Sequence, residues 1–328
     1  MLDSLARGVK PRTVLRIGAA IVVLGLIAAL ASVLVSRCSA SAPLGDPDPK
    51  ATKPVLAGVL PGDGGRLANP IGIAWDGKRL YVCESDAGSI AVFDARGVLR
   101  GRIEIPSASG ATTAYPAAVC VLEGGDVAVV DAAASRVLVV DAGSFGEADV
   151  VREIGEQAGL SQPTALASSS GRLYVADASD GTIKVFDGGE KPVAVLGADL
   201  KPRLTFVTGM AVADGSLFVV DSNAGRVVEL DAATGSLLGS VPARFTLPRG
   251  VAAFGDGRVA VADAFERRIA VFFEGRQTGS IDASSVPGAP VSSLRGLAWD
   301  AERGRLFATD AQSGSVGAYD LPREWGKQ

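Results

Sequence analysis

Histidine is absent from all 328 residues, and cysteine occurs only three times, never as a Cys-x-x-Cys pair. Without imidazole there is no histidine general base and no histidine-activated nucleophile, and a zinc site built on Cys and His is excluded. Aromatics make up only 5% of the chain, with three Trp and four Tyr, too few for the exposed aromatic cluster of a saccharide-binding module. No Lys/Arg stripe is interleaved with aromatics, which argues against a nucleic-acid partner. Glycine is plentiful instead, with 41 residues beside 17 prolines in a chain that is 48% hydrophobic. That mix suits many short strands joined by turns rather than long helices.

Charge is distributed unevenly. Six of the 32 basic residues and three of the 36 acidic ones fall in 1–52, leaving 26 against 33 in the remainder, so the body is acidic. Ile17 to Ser36 contains no charge and is bracketed by Arg16 and Arg37. As a helix it covers roughly the 30 Å hydrocarbon core of a bilayer. Arg7, Lys10, Arg12 and Arg16 precede it, so the positive-inside rule puts residues 1–16 in the cytoplasm, 17–36 across the membrane and the rest outside. Two readings compete with a retained anchor. Cys38-Ser39-Ala40 passes as a signal-peptide cleavage site, although signal-peptide apolar regions usually run shorter. Val35-Ser36-Arg37-Cys38 resembles a bacterial lipobox except at Arg37, where a small residue is expected. Residues 37–52, rich in Ser, Ala and Pro, read as an extended linker.

A repeat fills 53–328. RLYVCESDAGSIAVFD (79–94) recurs without a gap at 126–141, 172–187, 216–231, 258–273 and 305–320. Each copy is a hairpin, a short strand and a second strand joined by a four-residue connection. Ahead of each lies another apolar run, beginning at Pro70, Pro116, Pro163, Val207, Pro248 and Leu294, and a further strand fits between units, as in 97–105, 191–197 and 236–242. Four strands repeated six times predict an all-β, six-bladed β-propeller with four-stranded antiparallel blades. Only eight residues follow Asp320, so the last blade is expected to take its fourth strand from 53–62. Such a seal removes an open sheet edge.

The Pro-x-Gly-apolar-Ala start, the strand ending in Asp and the Ile/Val-x-Val-Phe-Asp strand resemble the NHL-repeat family, and AGVLPGDGGRLANPIGIAWD (57–76) is similar to that family's junction between repeats. The resemblance implies the propeller fold over about 53–320, and it is far less specific for function, because one fold hosts both binding proteins and enzymes. The family's zinc-dependent amidating lyases use histidine, which this chain lacks. Its lactonase-like relatives hold a divalent metal near the channel through acidic and amide ligands.

Four sets of residues invite a functional reading. The acidic column Glu84, Asp131, Asp177, Asp221, Asp263 and Asp310 is expected to be structural, each acid accepting hydrogen bonds from the backbone of the following turn. Cys83 and Cys120 read as buried filler, with a disulfide between neighbouring blades as the alternative. Trp75 and Trp299, in the first and last blades, are expected to pack at the closing seam. The second residue of each inner strand should open toward one mouth of the channel, and reads Ile71, Ala117, Thr164, Thr208, Arg249 and Arg295. A hard divalent cation needs oxygen ligands, and this column has no carboxylate or amide. Thr164, Thr208, Arg249 and Arg295 are therefore the candidate ligand- or partner-binding residues, the arginines forking onto an anionic group. The competing reading pairs them with loop acids such as Asp256 or Asp282. No catalytic, metal or cofactor residue is assigned. The expected role is a membrane-anchored, extracytoplasmic scaffold for a protein partner or ligand, in an envelope or electron-transfer assembly. The alternative is a lactonase- or strictosidine-synthase-like hydrolase in the channel mouth.

Overall fold

The computed structural model describes residues 43–62, 64–108, 113–143 and 145–325. The segment expected to cross the membrane, 17–36, lies outside the described residues. Among those described, no helix is long and apolar enough to span a bilayer.

Six antiparallel sheets form the blades of a propeller. Their innermost strands are Pro70–Trp75, Pro116–Val121, Pro163–Ser169, Val207–Ala213, Pro248–Ala253 and Leu294–Asp300. Each innermost strand lies against that of the next blade, and the last lies against the first. Blades two to six have four strands; the first gains a fifth, because Gly146–Glu147 adds in parallel to Leu99–Glu104. That extra strand comes from a connection in the second blade, and so covers an edge that the repeat leaves open.

The sixth blade is sealed as expected. Val55–Leu60 pairs antiparallel with Ser315–Asp320. Arg305, 1% exposed, forks onto Asp320 and also donates to the Gly45 carbonyl at 2.7 Å. Leu44 donates its N–H to the Arg96 carbonyl of the first blade at 2.8 Å, which ties the entering chain to both sides of the seam.

Apolar side chains form six separate clusters, one at each junction between consecutive blades. Stability is therefore spread around the ring, since each blade buries its faces only against its neighbours. The tryptophans follow this rule and do not pair with each other. Trp75 of the first blade leans on Phe307 of the sixth, with centroids 5.7 Å apart, and Trp299 of the sixth stacks on Phe254 of the fifth at 4.1 Å. Cys83 and Cys120 are both buried and free. They sit in different clusters, and burial pushes the Cys120 thiol up to about 12, which makes it a poor nucleophile.

The acidic column has a structural role, but most of its bonds run backwards along the chain rather than to the following turn. Tyr115 N–H donates to Asp131, Ser161 and Gln162 to Asp177, Thr205 and Phe206 to Asp221, Thr246 and Leu247 to Asp263, and Ser293 to Asp310. Ala68 N–H donates to Glu84 in the same way. Each carboxylate thus pins the segment that enters its own blade, some sixteen residues upstream. Bonds to the following turn also occur, from Ser179 to Asp177 and from Ser313 to Asp310.

Asp221 is wholly buried, accepts from Thr205 and Phe206, and pairs with Arg226. Asp221→Ala is expected to lower unfolding stability by about 3 kcal/mol, because it strands buried donors and a cation; a denaturant midpoint unchanged from wild type would contradict the pinning role. Burial pushes the Asp177 carboxyl up, and hydrogen bonds from Ser179, Ser161 and Lys184 outweigh it, holding the group at about 2. A carboxyl depressed in the folded state stabilises fully above its unfolded value near ~4. That contribution is lost as pH falls from there toward about 2. Thermal melts across this window should show wild-type stability falling with acid, and Asp177→Asn should flatten the fall.

Candidate functional site: the channel mouth

The innermost strands are irregular at one shared place. Pairing with the second strand slips between Pro70 and Ile73, Pro116 and Ala118, Pro163 and Ala165, Val207 and Gly209, Pro248 and Gly250, and Leu294 and Leu297. In every blade the second residue is left without a cross-strand partner. A bulge of this kind re-aims a side chain. Here all six second residues, Ile71, Ala117, Thr164, Thr208, Arg249 and Arg295, line one axial cavity of about 320 Å³.

The third position explains how close the strands come. A Cβ on Gly250 would lie 3.1 Å from the Gly296 Cα, and one on Gly296 would lie 2.7 Å from the Ile71 carbonyl oxygen. Glycine at these positions lets the inner strands of blades five, six and one sit shoulder to shoulder, which brings Arg249 and Arg295 side by side.

The four predicted residues do meet at this mouth, but they are not equivalent. Thr208 is already committed, donating its hydroxyl to the Arg249 carbonyl at 2.9 Å, so it clamps blade four to blade five. The Thr164 hydroxyl is buried with no hydrogen-bond partner. Arg249 and Arg295 are half-buried, and the Nε of each is buried and unpartnered. Neither guanidinium has an ion-pair partner among the described residues. The loop acids proposed as alternatives are engaged elsewhere: Asp256 with Arg258, and Asp282 with Ser280, Ser284 and Ser285. Burial, and then the charge of Arg295, hold the Arg249 guanidinium below its ordinary range. Two like charges in a partly desolvated cavity, with no acid among its lining residues, make an electropositive hole.

The sequence pattern did not single out Arg267 and Phe265. They lie in the hairpin connection of blade five and line a second cavity, about 440 Å³, that shares Arg249 and Arg295 with the channel. Phe265 is 68% exposed. The Phe265 column varies from blade to blade and gives no signal, whereas Arg267 stands in a column that is otherwise Gly88, Ser135, Gly181, Gly225 and Gly314 and shares their positive φ, so its departure from glycine could have marked it.

No family model matches the chain, and no curated protein matches it. Solved structures do. A streptogramin B lyase superimposes with a TM-score of 0.57 at 12% identity, covering 78% of this chain and 95% of that one. A catalytically inactive histidine-to-alanine variant of virginiamycin B lyase from Staphylococcus aureus, with quinupristin, gives 0.57 at 12%, covering 80% and 83%. The WD40 β-propeller domain of Doa1 gives 0.57 at 12%, covering 85% and 100%. At these identities the likeness is one of fold, and it spans both lyase and WD40 propellers.

An unpaired cation that is partly desolvated costs stability when the site is empty. At low ionic strength and without added multivalent anions, Arg249→Gln is expected to raise unfolding stability by roughly 0.5–2 kcal/mol. A lower melting temperature for this variant would show that Arg249 supports the fold rather than a ligand.

Proposed function

We propose that this chain is a binding propeller of the NHL-repeat kind, held outside a membrane by residues 17–36, which takes an anionic group into the channel mouth between Arg249 and Arg295. The observation that carries this reading is the pair of guanidinium groups, side by side and without a counter-charge among the described residues, at a cavity to which all six blades contribute. Guanidinium groups match carboxylate and phosphate oxygens in a two-pronged geometry, and a preformed pair has no repulsion left to acquire when the anion arrives. The ring around them is rigid, so the loss of freedom on binding falls on the ligand.

The hydrolase reading has weaker support. A divalent cation at this mouth would sit beside two fixed positive charges instead of oxygen ligands. The lyase variant described as catalytically inactive lacks a histidine side chain, and this chain has no histidine at all. Protein docking draws separate support from the rim, where Phe265 and Arg267 stand beside the mouth on an exposed loop. Aromatic and arginine side chains of that kind dominate contact energies.

Sulfate titrated against the full-length chain in detergent is expected to raise the melting temperature by about 3 °C at tenfold excess over Kd, and the Arg249→Gln, Arg295→Gln double variant should lose the response. An equal rise in wild type and double variant would sink the anion site. For the membrane placement, protease added to right-side-out vesicles should digest the propeller, and inside-out vesicles should protect it. The reverse pattern would overturn the orientation.

A further inference from the structure

The mouth is only the upper part of the cavity. Below the column that carries the arginines lies a second ring, again one residue per blade: Ile73, Val119, Leu166, Met210, Val251 and Leu297. All six are apolar, all are at least nine-tenths buried, and each lines the same cavity while packing into the seam cluster of its own blade. The channel is thus charged at its lip and apolar beneath. Around the lip, the charge occupies one arc only. Arg249 and Arg295 come from blades five and six, and Ile71 and Ala117 continue the circle from blades one and two.

An inorganic anion satisfies the arginines and leaves the apolar part of the cavity wall uncovered. A neutral apolar molecule covers the ring and leaves two cations unpaired. A ligand that meets both needs an anionic head and a short hydrocarbon body. From this we infer that the channel takes a small amphipathic organic anion of the aliphatic carboxylate class, tail first, with its head on Arg249 and Arg295. The inference rests on the anion-binding reading of the mouth and adds the identity of the rest of the ligand. A cavity of about 320 Å³ sets the scale at a few to several carbons.

Hexanoate, acetate and 1-hexanol are titrated calorimetrically into the full-length chain in nanodiscs, with empty nanodiscs as the blank. Hexanoate is expected to bind at least tenfold more tightly than acetate, since each buried methylene adds to affinity, and 1-hexanol is expected to bind at least tenfold more weakly than hexanoate. Arg295→Gln and Arg249→Gln should each weaken hexanoate at least tenfold; two variants guard against one failing to fold. Met210→Gln, which keeps the side-chain length, should weaken hexanoate severalfold and leave acetate unchanged. Equal affinity for acetate and hexanoate overturns the amphipathic ligand and leaves the anion site standing. Equal affinity for hexanol and hexanoate overturns both. Absence of binding by all three overturns the inference, and the sulfate response then decides the broader reading on its own.

Discussion

A buried carboxylate at the end of each blade's second strand holds this ring in register. Backbone N–H groups from the segment entering the same blade converge on it, so the carboxylate fixes where that segment starts. In blades one to four a cation is added: Arg102 on Glu84, Arg136 on Asp131, Lys184 on Asp177 and Arg226 on Asp221. Blades five and six have no such pair among the described residues. There Asp263 and Asp310 are spent on backbone and loop donors. In these same two blades Arg249 and Arg295 line the channel mouth without an ion-pair partner among the described residues.

Closure makes that opening possible. The inner strands of blades five, six and one must approach within glycine distance for the arginines to stand together, and the sixth blade holds its position through Val55–Leu60 and the Arg305 fork.

Much of this was legible in the sequence because it recurs. A feature repeated at each of 72, 118, 165, 209, 250 and 296 identifies the fold, the column of small residues and the side chains that reach the axis. The closing strand was readable from a shortage of residues after Asp320. What the repeat could not show is non-local or particular to one blade. The Thr208 hydroxyl reads as a free ligand contact until its acceptor, 41 residues away, is seen. The acidic column reads as a turn motif because the following turn is adjacent in sequence, whereas most of its donors are about sixteen residues upstream. The bulge that turns each second residue inward is a backbone event with no residue signature of its own. Phe265 and the extra strand Gly146–Glu147 each occur in a single place, so comparing blades hides them.

The central claim is that two guanidinium groups stand at the channel mouth without an ion-pair partner among the described residues, ready for an anion. A crystal structure of the chain grown with bromide in place of chloride, with anomalous data collected at the bromine edge, tests it directly. The account predicts a bromide peak within hydrogen-bonding reach of both Arg249 and Arg295. Side chains swung onto nearby carboxylates, with no peak between them, would contradict it.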